Sequence, residues 1–167
     1  MANSEHVNII KKGVEAWNQW RNDNPDTIPD LAWANLIGMN LEGINLSRAN
    51  LKLAFCRSGD FKNADFSEAI LYGTNFQDSN LSSAVFQNAD LEGANLINAV
   101  LEKANLEGAN LKLAVLDRAN CKGINLLNSK KLGFQQLLTV SDISGGKLET
   151  SIYEKLKESN PDILTGK

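Results

Sequence analysis

Few residues of this sequence have the types and spacing that catalysis or metal binding requires. The chain has one histidine, His6, close to the N-terminus, so no serine or cysteine in its central part has a histidine base beside it. Cys56 and Cys121 are far apart and have no neighbouring histidine, which favours two small buried apolar side chains over a disulfide or a metal site. Gly145 and Gly146 belong to neither glycine-rich phosphate-binding pattern. The sequence therefore predicts a protein that is not an enzyme and has no cofactor and no metal site.

Composition and length narrow the class of protein further. The chain has 167 residues, a length that favours one domain, and 43% hydrophobic residues, 22% charged residues and a net charge of −3. This balance gives no attraction to nucleic acid or to an anionic membrane. The segment MANSEHVNIIKKG lacks a basic stretch followed by an apolar run, and no window is apolar enough to span a bilayer. We expect a cytoplasmic protein without membrane contact.

Most of the chain repeats with a period of five residues. Counting every fifth residue from Leu31 to Leu126 gives twenty positions, of which fourteen are Leu, four are Phe and two are Cys. A second inward position, counted every fifth residue from Ala34 to Ser129, is small, usually Ala, and only Met39, Ile44 and Ile124 are larger. The residue between this small residue and the Leu, Phe or Cys that follows it is usually Asn or Asp.

A five-residue period fits neither a helix nor a straight strand. At 100° per residue a helix would scatter the leucines around its circumference, and an odd period in a strand would place them on alternate faces. The chain must therefore bend once per repeat, with the small residue and the Leu or Phe inside and the Asn or Asp outside. Stacked coils of such a chain form a solenoid, because each coil completes the burial of its neighbour.

The predicted core column follows directly from this period. It consists of Leu31, Leu36, Leu41, Leu46, Leu51, Cys56, Phe61, Phe66, Leu71, Phe76, Leu81, Phe86, Leu91, Leu96, Leu101, Leu106, Leu111, Leu116, Cys121 and Leu126.

The run from ANLIGMNLEGINLSRANL to GANLKLAVLDRANCKGINL resembles the pentapeptide repeat family, whose consensus is A(D/N)LXX. The resemblance covers residues 31–130 and implies an all-β solenoid, a right-handed quadrilateral β-helix with four repeats per coil. About five coils would then form a rod about 24 Å long at the spacing of β-strands. The preceding AWNQWRNDNPDTIPD is similar to the N-terminal extensions of cyanobacterial members.

Both ends of the repeat carry segments with helical patterns. Residues 1–30 are predicted to form a capping helix, from Ser4 as N-cap to about Asn22, and a linker. We favour a lid over the first coil for this helix, the alternative being a membrane-surface or partner-binding helix. Residues 131–167 are predicted to form a C-terminal helical cap, with a helical turn at 132–140, a loop at 141–149 and a helix opened by a Ser151–Glu154 capping box. With both ends covered, we expect a monomer.

A second period of fifteen residues is superimposed on the first. In the outward position that Asn or Asp usually occupies stand the apolar residues Phe55, Ile70, Val85, Val100 and Val115. With four repeats per coil these residues should wind diagonally around the rod, and Val100 and Val115 should lie on adjacent sides. With three repeats per coil they would align on one side. The simpler interpretation of these apolar residues is that a fifteen-residue unit was duplicated, and the alternative is that they bind a partner.

Two functions are compatible with this pattern. We favour a non-catalytic protein-interaction scaffold or regulator that binds an unknown protein partner and no small-molecule substrate. Its candidate binding patch is apolar and consists of Trp33, Leu53, Phe55 and Tyr72. The alternative, which the family resemblance implies, is inhibition or protection of DNA gyrase by mimicry of duplex DNA. Mimicry requires a strongly acidic rod, whereas residues 31–130 contain ten Asp and Glu against nine Lys and Arg.

Overall fold

The computed structural model describes residues 2–166 and shows a chain wound into a four-sided rod. Parallel bridges join residues twenty positions apart, from Asp30 with Asn50 to Asn110 with Lys130. A bridge occurs at every fifth residue, so four repeats complete one turn of the rod. The structure therefore has the predicted bend once per repeat and shows directly that the coil has four sides.

The sides are numbered here by the residue that begins each of them. Side 1 begins at Asp30, side 2 at Asn35, side 3 at Asn40 and side 4 at Asn45. Each side contributes one bridged residue per coil instead of a longer strand, because the chain turns again after it. The turns form the four corners of the rod. The corner between sides 1 and 2, here called the 1–2 corner, consists of residues 32–33, 52–53, 72–73, 92–93 and 112–113 in successive coils.

Every corner is a tight turn closed by a backbone hydrogen bond. At the first corner the N–H of Ala34 donates to the carbonyl of Leu31 at 2.9 Å. The second corner residue has a positive φ at every corner from Trp33 to Asn128, which is the sign pattern of a type II turn. Glycine and Asn are common at this position because they tolerate a positive φ better than other residues.

The outward Asn and Asp residues stabilise the turns that follow them. The side chain of Asn75, for example, accepts a hydrogen bond from the N–H of Gln77 at 3.0 Å. Outward amides also link neighbouring coils, as where Asn80 Nδ2 donates to Asp60 Oδ1 at 3.0 Å. These two bonds explain why the middle position of the repeat is usually Asn or Asp.

The axis of the rod is filled by the inward Leu, Phe and Cys side chains. All twenty of them have an exposed fraction of 2% or less. Four phenylalanine rings form a cluster inside the middle coils, in which Phe66 and Phe86 stack at 4.9 Å and Phe61 meets Phe76 edge-on at 5.6 Å.

The N-terminal segment forms two helices where one was predicted. Helix α1 spans Ser4–Ile10 and helix α2 spans Val14–Asp23. The break follows from Gly13, whose φ of 106° is incompatible with a helix. The N-cap of α1 is Asn3 and not Ser4, because the Asn3 side chain accepts hydrogen bonds from the N–H groups of Glu5 and His6.

The C-terminal segment adds part of a further coil before it becomes helical. After a 3-10 helix at Phe134–Leu137, Asp142 pairs with Asn120 and Lys147 pairs with Asn125. The predicted loop at 141–149 is therefore wrong. The segment SDISGGKLET continues the repeat in a frame shifted by two residues, since these bridges join residues 22 positions apart.

Two short helices follow on top of this partial coil. Helix α3 spans Thr150–Ser159, and a second 3-10 helix spans Pro161–Leu164. The predicted capping box is wrong, because α3 begins one residue before Ser151 and has Glu149 as its N-cap without a side-chain hydrogen bond. Helix α3 ends immediately before Asn160 and Pro161, because the residue that precedes a proline is disfavoured in the helical conformation.

Candidate protein-interaction site

The structure places the four residues of the predicted patch around one corner of the rod. Trp33 and Leu53 occupy the same position of the 1–2 corner in successive coils, and Tyr72 lies at this corner in the next coil. Phe55 lies on side 2, two residues beyond Leu53. Trp33 is 54% exposed, Phe55 43% and Tyr72 42%, whereas Leu53 is half-buried. The patch thus follows an edge of the rod and continues onto one flat side.

Three large apolar residues of the 1–2 corner adopt a backbone conformation that is unfavourable for them. Trp33, Leu53 and Leu113 have φ values of 66°, 57° and 58°. Side chains with a Cβ atom are destabilised in this region, and bulky residues rarely occupy it. The other corners carry only Gly, Asn, Asp, Ser or charged residues at this position.

Leu113 is therefore a residue of this corner that the sequence interpretation missed. It is 71% exposed, and Leu113 and Val115 occupy the same two positions as Leu53 and Phe55, three coils further along. The sequence signal was present, because LKLAF at 51–55 and LKLAV at 111–115 match in four of their five residues.

Charged side chains at this corner are engaged with their neighbours along the rod. Lys52 Nζ lies 5.1 Å from the centroid of the Tyr72 ring, a distance typical of a cation–π contact. Lys112 Nζ donates to Glu92 Oε1 at 2.8 Å, and this hydrogen bond lowers the pKa of Glu92. The apolar residues of the corner are thus interspersed with paired charges and present no free acid or base.

The apolar residues of the fifteen-residue period wind around the rod as predicted for a four-sided coil. Ile70 lies on side 1, Val85 on side 4, Val100 on side 3, and Val115 on side 2 together with Phe55. Val100 and Val115 therefore lie on adjacent sides, as expected. No side of the described coils carries these residues in successive coils, so they form no continuous apolar stripe.

Positive and negative charges are mixed along the corners of the rod. Arg57 pairs with Asp78 at 3.3 Å, Lys62 with Glu42 at 3.2 Å, and Lys112 with Glu92 at 2.8 Å. These three pairs lie on three different corners, and each joins neighbouring coils. The remaining corner carries Arg48 in the first coil, Glu68 in the second and Glu107 in the fourth. Within residues 31–130 no corner therefore offers an uninterrupted line of negative charge.

The residues with catalytic potential have structural roles. His6 Nδ1 accepts a hydrogen bond from the N–H of Asp30 at 2.9 Å. Cys56 and Cys121 are buried free thiols, and burial raises the pKa of both. Among residues 2–166, no group of three or more His, Cys, Asp and Glu side chains is arranged to hold a metal ion. In the same part of the chain no helix has both the length and the apolar character to cross a membrane.

Comparison with known families identifies the class of this β-helix. The pentapeptide repeats family matches residues 30–67, 60–96 and 94–129, in eight copies. The chain therefore belongs to the pentapeptide repeat family, whose members form a right-handed quadrilateral β-helix. Comparison with curated proteins gives no match.

Solved structures of pentapeptide repeat proteins resemble this chain to different degrees. Rfr23 from the cyanobacterium Cyanothece 51142 is 41% identical with a TM-score of 0.50, and the match covers 51% of this chain and 58% of Rfr23. A protein of the Arabidopsis thaliana thylakoid lumen is 23% identical with a TM-score of 0.47, over 74% of both chains. HetL from Nostoc, a protein involved in the regulation of heterocyst differentiation, is 27% identical with a TM-score of 0.44, over 71% of this chain and 54% of HetL.

Proposed function

We propose that this protein is a non-catalytic interaction scaffold or regulator whose partner protein binds the 1–2 corner and side 2 through Trp33, Leu53, Phe55 and Tyr72. The observation that carries the proposal is the left-handed backbone of Trp33 and Leu53 together with the exposed rings of Phe55 and Tyr72. Leu113 has the same backbone conformation, but the equivalent of Phe55 beside it is Val115. An exposed apolar side chain such as Trp33 in a strained conformation does not improve the fold, and such strain tends to occur where it serves a function. The same position on the other three corners is filled without large apolar residues.

The chemistry of the patch favours a protein partner. Aromatic side chains are enriched at protein interfaces, where they bury a large area with few rotatable bonds. Nucleic acid would need a basic surface, whereas acidic and basic residues are mixed along the rod in nearly equal numbers. We further propose a cytoplasmic monomer whose repeats form about five coils over residues 31–130. Residues 1–30 cap two sides of the first coil, and residues 131–167 add a partial coil and cap the other end.

The proposal is tested by a variant that removes the patch and keeps the fold. Leu53→Asn places a residue that tolerates a positive φ at the corner, and Phe55→Asn restores the outward amide between Asn35 and Asn75. The double variant should be as stable as the wild type or slightly more so. The matched control is Leu113→Asn with Val115→Asn, which makes the same chemical changes three coils away.

Binding is measured by affinity capture from an extract of cells that express the protein naturally, with quantification of each captured protein. We expect at least one specific partner to be lost from the Leu53→Asn/Phe55→Asn variant and retained by the Leu113→Asn/Val115→Asn control. If the patch variant keeps every partner of the wild type, the patch has no role in binding. Equal loss from both variants would instead assign binding to the whole length of the corner.

A further inference from the structure

The first coil of a solenoid exposes main-chain groups that a preceding coil would otherwise pair. On side 4 the N-terminal helices satisfy these groups. The N–H of Asn45 donates to Asn18 Oδ1 at 2.9 Å, and its carbonyl accepts from Trp17 Nε1 at 2.7 Å. The carbonyl of Ser47 accepts from Arg21 Nη2 at 3.1 Å.

Side 1 is capped in the same way by helix α1 and the residue before it. The N–H of Asp30 donates to His6 Nδ1 at 2.9 Å, and the carbonyl of Asp30 accepts from the N–H of Asn3 at 3.0 Å. The helices therefore replace the main chain of a missing coil on two of the four sides.

Sides 2 and 3 of the first coil have no such cover. Within residues 2–166 no hydrogen-bond partner is present for the N–H and C=O groups of Asn35 and Asn40 or for the carbonyl of Ile37. All three residues are exposed. One coil later the equivalent groups are paired. The N–H of Phe55 donates to the carbonyl of Ala34 at 2.9 Å, and the carbonyl of Phe55 accepts from Leu36 at 2.8 Å.

We infer that the open edge at Asn35 and Asn40 binds an extended segment of a partner polypeptide, which adds to side 2 as a parallel strand. This inference rests on the proposed interaction function and names the class of ligand. A row of unpaired N–H and C=O groups at the edge of a sheet selects another main chain, because only a main chain supplies matching acceptors and donors at the same spacing.

The side chains along this edge define the composition of the segment. Trp33 and Ile37 are each 54% exposed and lie on either side of Asn35, so they offer apolar surface to residues of an added strand. The stretch from Trp33 to Asn40 contains no charged residue. The bound segment should therefore be uncharged and rich in apolar side chains.

A second copy of this protein does not fit the edge as well as a single strand does. Helices α1 and α2 pack on the other half of the same end, and a helix with its side chains is about 10 Å thick. A coil of a second copy would have to approach to about 4.8 Å to pair with the edge. An extended segment is one layer thick and can lie beside the helices.

The first test asks whether the edge is open in solution. Asn35→Pro removes an N–H group that has no hydrogen-bond partner. The melting temperature of this variant should therefore match that of Asn35→Ala, which keeps the N–H group. The matched control Asn75→Pro lies on the same side and removes a bond to the carbonyl of Ala54 at 3.0 Å. Its melting temperature should fall by about 5 °C or more. If Asn35→Pro is as destabilising as Asn75→Pro, the edge is already paired and the inference fails.

The second test uses a displayed library of random twelve-residue peptides selected on the wild-type protein. We expect apolar peptides whose Kd rises at least tenfold with Asn35→Pro and does not change with Asn35→Ala. Methylation of a peptide nitrogen should abolish binding only at the two residues whose N–H groups donate to the carbonyls of Asn35 and Ile37, as Leu36 and Gly38 donate to Phe55 and Arg57 one coil later. Absence of selected peptides, equal binding to Asn35→Pro, or insensitivity to methylation would each overturn strand addition.

These results separate the inference from the proposed function. A natural partner that is lost from the Leu53→Asn/Phe55→Asn variant but retained by Asn35→Pro would support the corner patch and reject strand addition. A partner lost only from Asn35→Pro would support the edge and reject the patch.

Discussion

The side chain of Leu53 occupies the space next to the Cα atom of Gly73, the equivalent residue at the 1–2 corner of the next coil. A Cβ atom built on Gly73 would be 2.7 Å from Leu53 Cδ2, a distance that real Cβ atoms essentially never show. Gly93, one coil further along the same corner, has no atom within 4 Å of such a Cβ. The two glycines have similar φ values of 62° and 66°, so they differ mainly in the presence of the leucine.

This difference predicts unequal effects of the same substitution. Gly93→Ala should destabilise the fold by about 1 kcal/mol, because alanine is strained at a positive φ. Gly73→Ala should destabilise it by about 2 kcal/mol, since Leu53 must also move. The free energies of unfolding are measured by urea denaturation. In a Leu53→Gly background, which reproduces the succession of Gly73 and Gly93 at this corner, Gly73→Ala should cost no more than Gly93→Ala. Equal effects of the two alanine variants in the wild-type background would contradict the contact.

The packed axis of the rod predicts a large effect of a central truncation. Leu81 is fully buried, so Leu81→Ala should reduce the free energy of unfolding by about 2–5 kcal/mol through lost burial and a residual cavity. Leu113→Ala is the control, because Leu113 is exposed and its replacement should change stability by less than about 0.5 kcal/mol. A loss below about 1 kcal/mol for Leu81→Ala would show that the column is not tightly packed.

The body of the rod could be predicted from the sequence because one constraint repeats along it. A bend every five residues, an inward Leu81 or Phe86 and a small inward neighbour are all consequences of burying one axis. The number of sides did not follow from the period alone and came from the family resemblance. The structure shows it independently, through bridges such as that of Val100 with Asn80 and Asn120.

The ends were predicted less well because their features occur only once. The break between α1 and α2 depends on the backbone of a single residue, Gly13, within an otherwise helical pattern. The partial coil at Asp142 and Lys147 was missed because a two-residue shift removed it from the reading frame of the repeat. The open edge could not be foreseen, since it depends on which sides of the first coil the helices cover.

The buried thiols predict a stability that decreases in alkaline solution. Burial raises the pKa of Cys121 to about 12 and that of Cys56 above its usual range. Above about pH 8.5 the unfolded chain releases these protons while the folded chain retains them. The unfolded state then binds fewer protons, so the free energy of unfolding falls as the pH rises, by up to about 1.4 kcal/mol per pH unit for each thiol.

This pH dependence is measured by urea unfolding at about pH 8 and about pH 10. The variant with Cys56→Ala and Cys121→Ala should lose less stability between the two values than the wild type. The same variant is less stable overall because it packs less well, but only the difference between the two pH values bears on the thiols. An identical decrease in both proteins would assign the alkaline effect to other groups.

The charge pattern of the rod predicts no effect on DNA gyrase. Duplex DNA carries one negative charge per about 1.7 Å, so a mimic about 24 Å long would need about fourteen of them. Residues 31–130 contain ten acidic and nine basic residues, and basic side chains such as Lys62 and Lys112 neutralise acidic neighbours along the corners. In a supercoiling assay the protein should neither inhibit gyrase nor protect it from a quinolone at any concentration tested. A dose-dependent effect of either kind would show that mimicry tolerates a mixed surface and would reverse the order of the two functions considered for this protein.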